Sequence, residues 1–206
     1  MDTKSFPTKG NLIAAKNSLQ LARQGYELMD KKRNILMREL MELIGQASEI
    51  QSRIDQTFRS AYGALQRANI ELGISHVEEI SYSVPVEESI RIKTRSIMGT
   101  EIPLAEYDRQ PVVPTYSFYS TKQSLDAARI AFDHVKDLTI KLSTVENSAY
   151  RLASSISKTQ KRANALKNIT IPMYEALTKN IADALEEKDR EEFTRLKVIK
   201  RMHGGR

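Results

Sequence analysis

Apolar residues recur at alternating steps of three and four along two long stretches of this chain, and that pattern leaves few folds open. The first series runs Leu12, Ala15, Leu19, Ala22, Tyr26, Met29, Arg33, Leu36, Leu40, Leu43, Ala47, Ile50, Ile54, Thr57, Ala61 and Ala64, with Arg33 and Thr57 as its polar members. The second runs Ala128, Ala131, Val135, Leu138, Leu142, Val145, Ala149, Leu152, Ile156, Thr159, Ala163 and Leu166, with Thr159 as its polar member. Such spacing puts every member on one face of a helix, as in the seam of a coiled coil. A helix from about residue 11 to 69 is about 90 Å long at the usual rise, whereas a compact globule of this size has a radius of gyration of roughly 17 Å. No Pro interrupts the first series, and Gly25, Gly45 and Gly63 lie off its seam. Each helix can bury its one stripe against the other if the chain doubles back. The expected fold is mainly α, a long antiparallel two-helix coiled coil whose short middle segment contains a β-hairpin. The expected divisions are 1–72, 73–116 and 117–206. A rod of this kind spaces or transmits rather than catalyses.

The middle segment has a different grammar. Gly73, Pro85, Gly99, Pro103, Pro111 and Pro114 punctuate it, and Ile90, Ile92 and Ile97 stand among polar residues before a Met98-Gly99-Thr100 turn and Ile102. Period-two alternation around a glycine turn predicts one or two short hairpins with one apolar face. An isolated hairpin is marginal, so that face must rest on something. Ile90, Ile92, Ile97 and Ile102 are the candidate partner face, with packing on the chain's own helix ends as the alternative. Regular helix is expected to resume between 117 and 121. Thr8 or Asn11 is placed to cap the first helix after an extended entry, Lys4 to Gly10.

Two seam positions invite a closer reading. Arg33 lies between Met29 and Leu36, where its stem can pack while the guanidinium reaches water, or where it can pair across the interface and fix register. Pro172 interrupts the second helix. Its missing N–H and its ring predict a kink, with the stripe continuing through Thr170, Met173 and Leu177 and then thinning to Asn180 and Ala184. Beyond that point Phe193, Leu196 and Ile199 are sparse. Glu186 with Arg190 and Glu191 with Arg195 are favourably ordered i,i+4 pairs, and His203-Gly204-Gly205-Arg206 reads as a flexible tail.

Composition narrows the function classes. The chain carries 32 Lys and Arg against 26 Asp and Glu, a formal charge of +6, with the signs interspersed, which is first of all a solvated surface. The basic groups Lys31, Lys32, Arg33 and Lys158, Lys161, Arg162, Lys167 sit in no recognisable reading module, so nucleic acid is not an expected partner. Zero cysteines exclude disulfides and thiol chemistry. No apolar run approaches 18 residues and the start lacks a signal peptide's apolar core, so direct membrane insertion is not expected. His76, His134 and His203 lie far apart, Glu78-Glu79 and Glu87-Glu88 point their members in different directions, and Ser154-Ser155 has no evident triad. Gly99 stands alone and Gly204-Gly205 lacks a phosphate-loop context. No catalytic residue, cofactor or metal ligand is expected.

The stretches Pro7-Thr8-Lys9, Gly25-Tyr26-Glu27-Leu28-Met29-Asp30-Lys31-Lys32-Arg33 and Lys158 to Leu166, the last containing Arg162-Ala163-Asn164-Ala165-Leu166 and followed by Ile171-Pro172, resemble the D subunit of V-type and archaeal-type rotary ATPases. The ending Leu185 to Lys197, acidic and then basic, is similar as well. The likeness covers both helices and the order of the elements. It implies a non-catalytic central-stalk axle: the chain termini enter the A3B3 catalytic head of A and B subunits, where nucleotides are handled. The middle segment lies toward the membrane. The implied partners are the small F subunit of the stalk and a funnel-like subunit, called C or d. The implied place is the cytoplasmic side of a prokaryotic membrane, as a peripheral subunit. On this reading residues 1–30 and 165–206 meet the head, while the middle of the rod and Gly73 to Pro114 make fixed rotor contacts. Two alternatives remain: a coiled-coil adaptor or spacer, and an axle like the γ subunit of F-type ATPases. The latter family carries an α/β domain that roughly forty middle residues are too few to form.

Overall fold

The computed structural model describes residues 6–203. The elements follow as α1 (Lys9–Leu72), α2 (Ile74–Ser81), β1 (Arg91–Ile97), β2 (Thr100–Glu106), α3 (Gln123–Ala165), a π-helical turn (Leu166–Thr170) and α4 (Ile171–His203). The chain is mainly α, with three long helices and one two-stranded antiparallel hairpin. It divides into two compact units, one made of the residues up to Asn34 together with those from Ser157 onward, the other of Ile35–Ile156.

Helix α1 begins where Thr8 Oγ1 accepts the Asn11 backbone N–H at 3.2 Å, so Thr8 is the cap. It continues without interruption to Leu72. Gly73, at φ 89°, ends it in a conformation that favours glycine, and the Gly73 N–H still reaches the Asn69 carbonyl at 3.0 Å. Every member of the 3-4 series on α1, and every member on α3 and its continuation to Leu166, is buried or half-buried.

In the Ile35–Ile156 unit, α1 and α3 run antiparallel, and two clusters form the core. Leu36 and Leu152, both fully buried, join Ile156 and the hairpin's Ile102, with Leu40, Leu43 and Ile97 packed around them. Burial of each such leucine contributes about 1.5–3 kcal/mol. Near the other end of this unit Ala68, Val77 and Leu125 pack with Leu65, Leu72, Ile80 and Tyr116. There the α1 stripe has switched to Ala61, Ala64 and Ala68, and these small side chains let α2 and α3 approach closely. Helix α2 was not expected in this segment, for which only short hairpins were predicted. Ile74, Val77 and Ile80 at steps of three carry its apolar side, a helical signal that Gly73 and the following Pro85 mask. Helix α3 starts at Gln123, later than the 117–121 expected, because Ser117 is engaged in local turns: its Oγ accepts the Tyr119 N–H and its carbonyl accepts the Thr121 hydroxyl.

In the other unit, α1 up to Asn34 packs on α3 from Ser157, the π turn and α4. Ala15, Ala22, Thr159, Ala163 and Ile181 are its buried side chains. Arg23 and Glu175 pair at 2.6 Å, both largely exposed. Of the expected helix-surface pairs in α4, Glu186–Arg190 is formed, and Glu191–Arg195 stands at 3.8 Å. His203 closes α4; Gly204 to Arg206, like Lys4 and Ser5 of the expected entry, lie outside the described residues.

Candidate functional site

In the unit that runs to Asn34 and resumes at Ser157, a polar chain crosses between the paired helices at Arg33. Its Nη1 donates to Gln160 Oε1 on α3 at 2.9 Å, and Nη2 meets Asp30 Oδ1 at 2.7 Å. Gln160 in turn donates from Nε2 to Asn164 Oδ1 at 2.8 Å. The guanidinium therefore crosses to the partner helix and is half-buried, instead of only reaching for water. Beside it the motif residues divide by face. Ala163 is buried and Leu166 half-buried, while Arg162, Asn164 and Ala165 are exposed. A β-carbon at Gly25 would lie 3.7 Å from Leu166 Cδ1, so the glycine sits over this leucine at ordinary contact distance. Lys167 Nζ stands 5.8 Å from the Tyr26 ring centre.

The π turn explains the apparent decay of the second stripe. Ile171 N–H bonds to the Leu166 carbonyl, a step of five residues where an α-helix uses four, so one extra residue is accommodated immediately before Pro172. Past that point the stripe shifts: Tyr174 takes the inward place of Met173 and Ile181 that of Asn180, while Leu177 stays inward. Tyr174, Leu177, Ile181 and Leu185 are buried or half-buried, with Ile181 at 2% exposure, whereas Met173 and Asn180 face out. The expected continuation through Met173 and Asn180 is thereby corrected, with the inserted residue as the physical reason. The chain remains helical through Pro172, which is itself exposed, while Ile171 is half-buried.

In the other unit the hairpin is seated by α3. Its turn, Met98-Gly99, has φ of 49° and 75°, the left-handed pair that a two-residue hairpin loop requires. Strand register pairs Arg95 with Ile102 and Ile97 with Thr100. Side chains 93, 95, 97 and 100, 102, 104 therefore share one face, and 92, 94, 96 the other. The four isoleucines thus do not form one apolar face. Ile102 is buried and Ile97 packs against the same core, while Ile92 is 72% and Ile90 44% exposed. The parity of residue 97 against 90 and 92 is the reason. Three α3 side chains, one turn apart, hold β2. Ser148 donates to the Pro103 carbonyl at 3.1 Å, Arg151 reaches the Glu101 carbonyl at 3.4 Å, and Ser155 shares a 2.8 Å hydroxyl pair with Thr100. Sequence reading missed this row: steps of three and four put Ser148, Arg151 and Ser155 on one face of the helix without showing what lies against it.

A second polar cluster fastens the segments flanking the hairpin to α3. Glu87 accepts from Ser89 and from Lys136 Nζ at 3.0 Å, and Lys136 also meets Asp133 at 3.0 Å. Arg109 pairs with Asp137 at 3.2 Å. The Ser89 hydroxyl, followed by Lys136 and the Ser89 N–H, holds the Glu87 carboxyl at about 2, well below its ordinary range. Burial works against the Lys136 ammonium, but Asp133 and Glu87 outweigh it and raise its pKa. Nearby, the Tyr116 hydroxyl donates to Asp126 at 2.6 Å, and burial together with this carboxylate pushes it up to about 12. These groups fasten segments together. Glu87, Ser89, Asp133 and Lys136 line one open pocket, where they are engaged with one another.

Among the described residues no group of three or more His, Asp or Glu side chains is arranged to hold a metal ion, and no helix is long and apolar enough to cross a membrane. The family model for the D subunit of ATP synthase matches residues 11–201. The chain is 44% identical to the D subunit of the V-type ATP synthase of Thermotoga neapolitana, over 94% of this chain and 96% of that protein. It is 36% identical to the D subunit of the A-type ATP synthase of Thermococcus kodakarensis, over 94% of this chain and 92% of that protein. It is also 36% identical to the A-type protein of Pyrococcus horikoshii, over 96% and 94%.

Proposed function

Because the chain belongs to the family of ATP synthase D subunits, we propose that it is the central rotor shaft of a V/A-type rotary ATPase, carrying torque between the A3B3 catalytic head and the membrane ion-translocating ring. The observation that supports this reading most is the unbroken course of α1 from Lys9 to Leu72 with its 3-4 stripe turned inward throughout. Two helices zipped along such stripes resist bending and unwinding more than one does, so a rotation applied at one end arrives at the other. In this role the chain makes no bond to ATP, and coupling of hydrolysis or synthesis to H⁺ or Na⁺ movement belongs to its partners.

The partner assignments follow the same logic. Residues 1–30 and 165–206 meet the head, where contacts must slide, and the exposed Phe193, Leu196, Ile199 and Met202 along α4 suit many weak apolar contacts. The small F subunit and the funnel-like subunit turn with the shaft and can bind tightly, the former on the middle of the rod and the latter on the α2 and hairpin region. The complex sits on the cytoplasmic face of a prokaryotic membrane. Co-expression with the A, B and F subunits tests the reading. Co-purification of the chain with both large nucleotide-binding subunits supports the shaft. A stable homodimer indifferent to them, or salt-sensitive retention of nucleic acid alone, overturns it.

A further inference from the structure

The hairpin leaves one strand edge open, and its geometry is specific. The two-residue turn makes Ile97 and Thr100 a hydrogen-bonded pair, and bonded and non-bonded pairs then alternate down the ladder. The pairs Ser96–Glu101, Thr94–Pro103 and Ile92–Ala105 are the non-bonded ones, so their backbone groups point away from the ladder. On β2 those outward groups are used: the Glu101 and Pro103 carbonyls receive Arg151 and Ser148. Pro103, without an N–H, stands at a position where none is needed. On β1 the corresponding backbone groups of Ile92, Thr94 and Ser96 have no hydrogen bond among the described residues, and the strand is exposed from Arg91 to Ser96.

The chemistry of β1 selects what can pair there. Arg91, Lys93 and Arg95 alternate with Ile92, Thr94 and Ser96, and the strand has no acidic residue. Lys93 is paired with Glu106 at 2.6 Å, but Arg91 and Arg95 have no ion-pair partner among the described residues. Two copies of this edge would oppose like charges, which disfavours self-association. An extended segment with acidic residues at alternate positions would instead place carboxylates beside Arg91 and Arg95 and offer apolar cover to Ile92, which is 72% exposed. The geometry points to β1 as a docking edge that takes one acidic strand from a neighbouring polypeptide, adding a third strand to the hairpin. This goes beyond the shaft role and does not depend on it.

The test uses the full chain and a synthetic peptide of about eight residues alternating Glu with Val and Thr, long enough to match β1. Amide exchange is followed residue by residue. Protection should rise by more than about tenfold at Ile92, Thr94 and Ser96 and stay unchanged at Arg91, Lys93 and Arg95, whose groups already serve the ladder. Thr94→Pro removes one outward N–H while leaving every β1–β2 bond in place, and should abolish binding. R91E/R95E should weaken the acidic peptide by more than about tenfold and favour its Lys-containing counterpart. Persistence of the ladder protection in each variant shows that the hairpin is still folded. Absence of peptide binding, uniform protection without alternation, binding indifferent to T94P, or displacement of the peptide by duplex DNA of about 20 base pairs would each overturn the proposal.

Discussion

The π turn before Pro172 has two candidate causes, the proline itself and the extra residue, and they predict different behaviour. If the extra residue is the cause, a variant lacking Asn168 and carrying Pro172→Ala should form an ordinary α-helix from α3 into α4 while keeping the buried stripe. Without the insertion, Leu166, Thr170, Tyr174, Leu177 and Ile181 become one regular 3-4 series, and Asn168 is exposed. The expected loss of stability is about 1 kcal/mol or less, since no buried apolar group changes environment. Pro172→Ala alone should keep the π turn. Collapsing that turn would rotate α4 by about 100°, exposing Ile181 at about 1.5–3 kcal/mol and burying the Asn180 amide at about 1–3 kcal/mol more. The chain has no cysteine, so thiol labelling of Asn180→Cys and Ile181→Cys reads the phase directly in each background. Slow labelling at 181 and fast labelling at 180, in both backgrounds, is expected. Reversed accessibility in Pro172→Ala, or a loss above about 3 kcal/mol in the deletion variant, would refute the reasoning.

Leu152→Ala, at the centre of the cluster with Leu36, Ile102 and Ile156, should cost about 2–5 kcal/mol in denaturant unfolding, whereas Leu196→Ala on exposed α4 should stay within about 0.5 kcal/mol. Arg33→Leu should raise the melting temperature of the isolated chain, because an apolar seam residue replaces a polar contact, while broadening helix pairing; a widened distance distribution between spin labels placed at 26 and 167 reports the loss of register. Glu87 titrates near 2 in the folded chain against an ordinary 4.5, so its contribution to holding the middle segment is present above pH 4.5 and is lost as pH falls toward 2. Amide exchange around Ser89 should accelerate through that window, and Glu87→Gln should make the profile flat.

The helices were legible because a 3-4 repeat admits one burial pattern, and the reversal at Met98-Gly99 was legible because the alternating residues around it required one, although Thr100 belongs to β2 and not to the turn. Helix α2 was hidden by its brevity and by Gly73 and Pro85 on either side. The π turn was hidden for a different reason: reading Pro172 as a local obstacle kept the stripe in its old phase, although Ile181, the strongest apolar residue in that region, lay one position off it. The grouping of Ile90 and Ile92 with Ile97 and Ile102 failed on parity, which a period-two count through the turn would have shown. The polar row Ser148, Arg151 and Ser155 and the clasp at Lys136 depend on which loop lies against which face of α3, and no spacing within one element encodes that.

Rotation itself tests the central claim. With the catalytic head fixed to a surface and a bead attached through Tyr119→Cys, a fully exposed site between β2 and α3, addition of ATP should drive the bead in one direction with three-fold stepping. A bead that only diffuses while the head hydrolyses ATP, or hydrolysis that continues undiminished when this chain is cross-linked to the head, would contradict the account.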